Sequence, residues 1–339
     1  MHMSDESPES SSKNSGKTSS FLGRIVKLIF AGFLCWMLIR AFFVQGMFIP
    51  TNSMSGTLNE GDKIYVNKLA YGPRIPITPL CIPFTEKNIY LDWISIPYWR
   101  FPGYDEVAVN DIIVFNLPTD TLYPVDLRKL YIKRCVGLPG DSLQIREGKV
   151  FVNGKEIPMK GNPALLYSVA MKTDEPHDSL FSQLGIQKPY GSADGIHYSL
   201  MMTWYQADAL DSTGKTNSIV RSLIDADRYD YKMFPQNTAK QYRWNGDNFG
   251  TVKIPKAGES INLSVNNIHL YKTAITVYEG NTLENRNDSI YINGQFSQSY
   301  TFRMDYFFVL GDNRYDSNDS RYWGFLPEDH LVGRAGSSD

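Results

Sequence analysis

Cysteine is scarce in this chain of 339 residues, with only Cys35, Cys81 and Cys135 present. Three irregularly spaced cysteines make neither a disulfide framework nor a zinc site. Cys35 falls in an apolar run, and Cys81 and Cys135 read as free thiols that pack like small hydrophobes. Histidine is equally thin. His2, His177, His197, His269 and His330 share no ligand spacing, so no metal and no cofactor is implied. An excess of basic charge is also missing: 34 Lys and Arg against 36 Asp and Glu leave a net charge of −2, without the footprint of a nucleic-acid binder. No internal repeat recurs beyond the two Asn-Gly hairpin signals at 153–154 and 293–294. The 13% aromatic content, with 21 Tyr and 18 Phe, favours β structure over a helical bundle.

What is present begins with a contrast. Residues 1–20 are polar and Ser-rich and are expected to be a disordered cytoplasmic tail. Residues 21–45 are apolar over the roughly 20 positions needed to span a bilayer, interrupted by Arg40, which can snorkel to the far interface. Lys13, Lys17, Arg24 and Lys27 precede its unbroken apolar part, Leu28 to Ile39, so the positive-inside rule puts the N-terminus in the cytoplasm and everything after residue 45 outside. A cleavable leader is the rival, weakened because Phe42, Phe43, Val44 and Gln45 offer no small-x-small site. An uncleaved, single-pass anchor is expected.

Past the anchor, short strands are expected at 63–68, 111–115 and 149–152, the last closed by the hairpin signal Asn153-Gly154. Residues 72–106 form a Pro- and aromatic-rich insertion, including Pro83, Trp93, Trp99 and Phe101. It reads either as an arm that sets rings at the headgroup level or as a packed cover. Residues 156–299 read as an inserted β-rich domain, with a helix or two between 183 and 230 and strands at 289–292 and 300–303. The fold expected is mostly β: a catalytic core from 46–155 and 300–339 around that second domain.

Ser53-Met54 follows the anchor closely, and Lys133 ends the bulky run Tyr131-Ile132-Lys133. A serine hydroxyl needs a base beside it. A lysine can be that base if burial holds its amine neutral. Pro50-Thr51-Asn52-Ser53 suits a tight turn that presents the hydroxyl. Any single Ser or Lys is more often a solvated surface residue, so the pair gains weight only from its surroundings.

Three blocks supply those surroundings: Ile49 to Leu58, Tyr131 to Asp141, and Phe308 to Arg314 running on through Ser317, Asp319, Ser320 and Arg321 to Gly324. In this order, behind an anchor, they resemble type I signal peptidases, and the long insertion resembles the Bacteroidetes-type forms. The resemblance implies a membrane serine endopeptidase of the cytoplasmic membrane. It would remove signal peptides from secretory preproteins after a small-x-small site, beside membrane lipid and in reach of the secretion translocon. By the same resemblance Ser53 is the nucleophile and Lys133 the general base, working through an acyl-enzyme. The Ser53 N–H and the Thr51 hydroxyl form the oxyanion hole. Tyr131, Arg134, Asp312, Ser317, Asp319 and Arg321 support the site, and Ile49, Pro50, Met54, Leu58 and Ile132 line the substrate pockets. An Asp312/Asp319 acid pair is the sharper rival, opposed by Arg314 and Arg321, which would keep both carboxylates ionised.

Departures from the family pattern are visible. Gly56 stands where Pro is usual, which is expected to loosen the turn, and Asn110-Asp111 replaces Gly-Asp. After Val332-Gly333-Arg334-Ala335 a final apolar strand is expected to be lost or altered. Gly137, Pro139 and Gly140 are expected to form one sharp turn. A self-cleaving repressor would share the chemistry but needs a DNA-binding module where the anchor stands. A non-catalytic binding protein of the same fold would have lost Ser53 or Lys133.

Overall fold

The computed structural model describes residues 15–79, 81, 93–187, 194–236 and 241–336, the side chains of 15–20 and 22 excepted. His2, Lys13, Pro83 and residues 337–339 lie outside the described residues, as does the tail up to residue 14.

Helix α1 runs Ser15–Phe42, so it begins inside the stretch expected to be disordered. The physical reason is propagation: once the apolar run is helical, each polar residue added upstream gains a bond without a new nucleus. Its Gly23–Phe42 portion has a mean hydropathy of 2.0 over 20 residues, enough for roughly 30 Å of bilayer. Leu28, Ile29 and Phe30 are about two-thirds exposed, with no protein packed over them. An apolar helix left bare on all sides suits lipid as its solvent, and the protein is membrane-anchored.

Seven strands form the main sheet: β1 (Val44–Phe48), β2 (Lys63–Asn67), β3 (Ile112–Asn116), β4 (Leu130–Gly137), β5 (Tyr306–Leu310), β6 (Leu326–Pro327) and β7 (Leu331–Gly336). Their spatial order is β1-β2-β7-β3-β4-β5-β6. The last strand therefore sits centrally, pairing Arg334 with Asn67 on one side and with Ile113 on the other. Leu331–Gly336 is thus itself a strand of the catalytic sheet. Gly333 permits it, because a Cβ there would stand 2.4 Å from the Asn67 carbonyl oxygen. Gly137 belongs to β4, not to the turn after it, which Pro139 and Gly140 (φ +87°) make.

Alternation makes the sheet two-sided. Ile64 and Val66 of β2, Val114 of β3 and Ile132 of β4 are buried together with Ile49, Met54, Leu58 and Val332. Ile113, Phe115, Cys135, Phe307, Val309 and Leu331 fill the opposite face. Cys35, Cys81 and Cys135 are free thiols.

Beyond the main sheet, Ser142–Arg146, Lys149–Val152 and Lys155–Glu156 form a meander to which Phe249–Lys253 adds. Asn153 and Gly154 close its hairpin with φ of 51° and 80°, the positive pair that an Asn-Gly turn supplies. Val136, Leu143, Val252, Ile275, Ile292 and Phe308 share one core, so residues after about 249 pack directly against the catalytic strands. By contrast Leu165–Met171, His197–Met202 and Thr216–Arg221 form a separate sheet with its own core of Val169, Phe181, Leu200 and Leu210. One helix of the region expected to hold them, Trp204–Ser212, lies there, capped by Thr203 with Gln206 in a capping box.

The flanks of the Pro/aromatic insertion run antiparallel: Ile75 N–H donates to Trp99 O (3.0 Å) and Phe101 N–H to Pro73 O (2.9 Å). Its base is pinned by Arg100, which donates to Gly72 O and Leu331 O, while Trp93, Trp99 and Phe101 remain exposed.

Candidate active site

β1 leads through Ile49-Pro50-Thr51 into one turn of 3₁₀ helix, Asn52–Met54. Thr51 is extended (φ −150°, ψ 160°) and Met54 is wholly buried, which anchors the turn and aims Ser53 outward. β4 carries Lys133 on the strand beside it. Lys133 Nζ lies 2.6 Å from Ser53 Oγ and donates to Ile132 O at 2.9 Å. The lysine side chain is only 2% exposed. Burial lowers its pKa to about 8, opposed by the attraction of Asp319 and Asp312. Desolvation thus outweighs two carboxylates, and a usable fraction of neutral amine exists near neutral pH. Its ammonium form faces the Tyr131 ring at 5.5 Å. Thr51 Oγ1 stands 3.3 Å from Ser53 Oγ.

The loop after β5 holds this turn from below. Asn313 N–H donates to Ser53 O (3.0 Å) and Asn313 Nδ2 to Asn52 O (3.1 Å). Gly311 is required there, since a Cβ would stand 2.1 Å from Ser317 Oγ and 2.6 Å from Ser53 O. Ser317 Oγ is buried close to Asp319, whose carboxyl it helps to lower, without a well-aligned hydrogen bond of its own.

Two buried ion pairs, not one network, support the loop. Arg134 grips Asp312 with Nε to Oδ1 (2.8 Å) and Nη2 to Oδ2 (2.6 Å). Thr57 Oγ1 donates to the same Oδ2 at 2.5 Å. Arg321 grips Asp319 at 2.9 and 2.8 Å, and Asp319 Oδ2 also accepts from Gly311 N–H. Burial alone would raise the Asp319 carboxyl, yet Arg321 holds it below the usual range. Two arginine-bound carboxylates make a poor acid pair. Arg314 does not take part as expected: Arg134 serves Asp312, and Arg314 is buried with its Nε unpartnered, its pKa lowered to about 10 chiefly by burial.

A cavity of about 590 Å³ opens over Ser53 and Lys133, walled by Pro50, Leu130, Tyr131, Ile132 and Asp316. Of the expected pocket residues, Pro50 and Ile132 line it. Ile49, Met54 and Leu58 lie behind it in the core that backs the sheet. A larger cavity, about 740 Å³, lies between Tyr71, Arg100 and Lys256, but no serine, threonine or cysteine lines it.

Leu130, Asp316, Thr57 and Asn313 escape a reading of the sequence, as ordinary residue types outside the key positions. Asn110 could have been found: φ of +76° suits Asn in place of Gly. Its carbonyl accepts from Arg134 and its side chain accepts from Lys160 N–H. Gly56 is not a loosened turn. At φ +95° proline cannot stand there, and a Cβ would meet Asn162 O at 1.8 Å.

A serine hydroxyl against a buried, partly neutral amine, at the mouth of a cleft beside a membrane helix, is the equipment of a serine-type peptidase. Comparison with known proteins agrees. A profile described as signal peptidase, peptidase S26, matches residues 22–189 and 251–338. The signal peptidase I of Buchnera aphidicola from Schizaphis graminum is 26% identical over 92% of this chain and 73% of its own. That of Pseudomonas aeruginosa is 34% identical over 40% of each chain. A solved signal peptidase I from Enterococcus faecalis is 18% identical, covering 68% of this chain and 97% of its own, at a TM-score of only 0.25. The chain belongs to the signal peptidase family, S26. Residues 190–250, which the profile leaves unmatched, include the Trp204–Ser212 helix and two of the three strands with the separate core.

Proposed function

We propose that this chain is a type I signal peptidase whose Ser53 and Lys133 form a nucleophile–base dyad. The observation that carries it is the 2.6 Å contact between Ser53 Oγ and a desolvated Lys133 Nζ. The neutral amine accepts the Ser53 proton as Oγ attacks the scissile carbonyl. The resulting oxyanion is held by the Ser53 N–H, in a first turn whose N–H groups have no helical partner upstream, and by the Thr51 hydroxyl. Lys133 then protonates the leaving amine, and the acyl-enzyme is hydrolysed by water that gives its proton to the same amine.

The preprotein binds as an added strand. β5 pairs with β4 only from Arg134 onward, so that side of Leu130–Lys133 has no partner strand among the described residues. An extended peptide can bond there and place small side chains against Pro50, Leu130 and Ile132. Ile49, Met54 and Leu58 fix the depth of those pockets from behind. Arg134, Asp312, Ser317, Asp319 and Arg321 keep the turn and the amine in place, and Tyr131 walls the cleft beside Lys133. The N-terminus lies in the cytoplasm of a bacterium, α1 crosses the inner membrane once, and the site faces outward near the secretion translocon and membrane lipid. Residues 46–155 and 300–339 make the catalytic core. Residues 156–299 are a β-rich insertion whose stretch after about 249 packs into that core, and the Pro/aromatic segment 72–106 is of the Bacteroidetes-type kind.

The test is cleavage of a preprotein reporter in liposomes by the full chain and by Ser53→Ala. Cleavage after a small-x-small site that the substitution abolishes supports the assignment. A folded wild type that cuts no preprotein refutes it.

A further inference from the structure

A second cavity, about 330 Å³, opens where α1 ends, on the side of the sheet reached by Ala41, Gln45, Lys68, Arg74, Asp126 and Arg128. Three cations face it, and their partners are neutral. Lys68 Nζ donates to Arg40 O (2.9 Å) and Ala41 O (3.2 Å), capping the last turn of α1. Arg74 donates to Asp329 O (2.7 Å) and to Asn116 Oδ1. Arg128 donates to Tyr123 O (2.8 Å) and Pro118 O (3.3 Å) and meets His330 Nε2 at 2.9 Å. Among the described residues these contacts leave one Lys68 proton, Arg74 Nε and Arg128 Nη2 uncommitted.

Carbonyl and ring partners satisfy hydrogen bonds but cancel no charge. Among the described residues the lining holds one carboxylate, Asp126. Its Oδ2 accepts from Thr78 N–H and Oγ1, and its Oδ1 is buried without a partner. Among the described lining residues, three cations thus stand against one anion. From neighbouring elements Arg40 and Arg100 add positive charge, while Asp329, bonded to His330 Nδ1 at 2.6 Å, attracts both Arg74 and Arg128, and Asp120 attracts Arg128. The mutual repulsion is visible: burial first, then Arg74 and Arg40, lower Lys68 to about 8. Burial and Arg100 likewise lower Arg74 to about 10.

The location says which anion fits. Ala41 closes the apolar stretch Gly23–Phe42, and Gln45 follows just beyond it. Exposed Phe43, Val44, Phe48, Leu69, Trp99 and Phe101 surround that level of the molecule. Phe42, Phe43, Leu69, Pro73 and Phe101 also wall an apolar hollow of about 410 Å³. Aromatic rings at the end of a spanning helix mark the headgroup zone, where the phosphates of lipid headgroups are the concentrated anions.

We propose that Lys68, Arg74 and Arg128 form a binding site for the phosphate of an anionic phospholipid headgroup, at the root of the membrane helix. The proposal rests on α1 crossing the bilayer. The bound phosphate pairs three cations that make no salt bridge among the described residues, and so fixes the height of the catalytic sheet above the membrane.

The full chain is reconstituted in nanodiscs of phosphatidylcholine with a minor share of phosphatidylglycerol, then stripped with detergent, and the retained lipid is counted by native mass spectrometry. Wild type should retain phosphatidylglycerol in preference to phosphatidylcholine. Arg74→Gln and Arg128→Gln should each lower that retention about five-fold, with Arg74→Lys retaining most of it. Should the glutamine variants unfold, hydrogen exchange of wild type replaces them. Slower exchange at residues 68–78 and 125–130 in phosphatidylglycerol discs than in phosphatidylcholine discs supports the site. Equal exchange, or equal retention of the two lipids, overturns it. Displacement of the lipid by millimolar inorganic phosphate would show a free-phosphate site and overturn the lipid assignment. Flotation with liposomes, measured in parallel, reports whether α1 anchors the chain at all.

Discussion

The α-carbon of Gly56, three residues past Ser53, faces the carbonyl of Asn162 so closely that a Cβ would stand 1.8 Å from its oxygen. The segment entering the second sheet thus rests on the nucleophile loop. Ala164 continues the contact, donating to Asp312 O at 3.0 Å and accepting from Arg314 N–H at 3.2 Å.

Gly56→Ala is therefore expected to destabilise the protein by on the order of 2 kcal/mol or more, from positive φ together with the clash. Urea denaturation midpoints measure it. A loss below about 0.5 kcal/mol, the usual range for a neutral surface change, would show that the two loops do not depend on each other.

Lys133 sets the pH dependence. A base with a pKa of about 8 accepts protons only when neutral, so kcat/KM should rise with pH through about 8 and level off above. The stability sign is separate. Between about 8 and the ordinary lysine value of 10.5 the unfolded chain binds more protons, so this residue's contribution to stability improves as pH rises across that window. Below it the buried charge costs about 3 kcal/mol. Lys133→Met should accordingly be inactive yet melt higher than wild type at pH 6. A lower melting temperature at that pH would mean the charged amine is well paired.

The Arg134–Asp312 pair is buried at both ends, 3% and 0% exposed. Asp312→Asn leaves a guanidinium facing a neutral amide and should cost about 3–5 kcal/mol. Arg134→Met with Asp312→Leu should recover much of that loss. Thermal melts of the single and double variants decide the matter, and a silent Asp312→Asn would refute the pairing.

Thr51 offers a cleaner dissection of the oxyanion hole. Thr51→Val keeps the shape and removes the hydroxyl, and is expected to lower kcat about 10²–10³-fold with little change in KM. Thr51→Ser should retain most activity. Equal rates for Val and Thr would leave the backbone N–H as the sole donor.

The nucleophile turn and the lysine strand are legible in the sequence because each needs few neighbours: Pro50-Thr51-Asn52 forces a turn, and Tyr131-Ile132-Lys133 alternates as a strand. The Asn-Gly hairpins are legible for the same local reason. Leu331–Gly336 is not, since two glycines weaken its strand pattern and its central place comes from partners more than 200 positions away. Gly56 misleads because its need is set by Asn162, a contact across folded space. Lys68, Arg74 and Arg128 look like ordinary surface charges until three segments converge on one cavity. Arg134 and Asp312 likewise meet only once β4 and β5 pair.

Capture of the acyl-enzyme tests the dyad most directly. The full chain in liposomes is mixed with a membrane-bound preprotein near pH 8, quenched with acid within the first turnover so that Lys133 is protonated before deacylation is complete, then digested for mass spectrometry. The signal-peptide acyl group should appear on the peptide bearing Ser53, and should be absent from Ser53→Ala and Lys133→Met. Cleavage with no adduct on Ser53, or undiminished cleavage by Lys133→Met, would contradict the account.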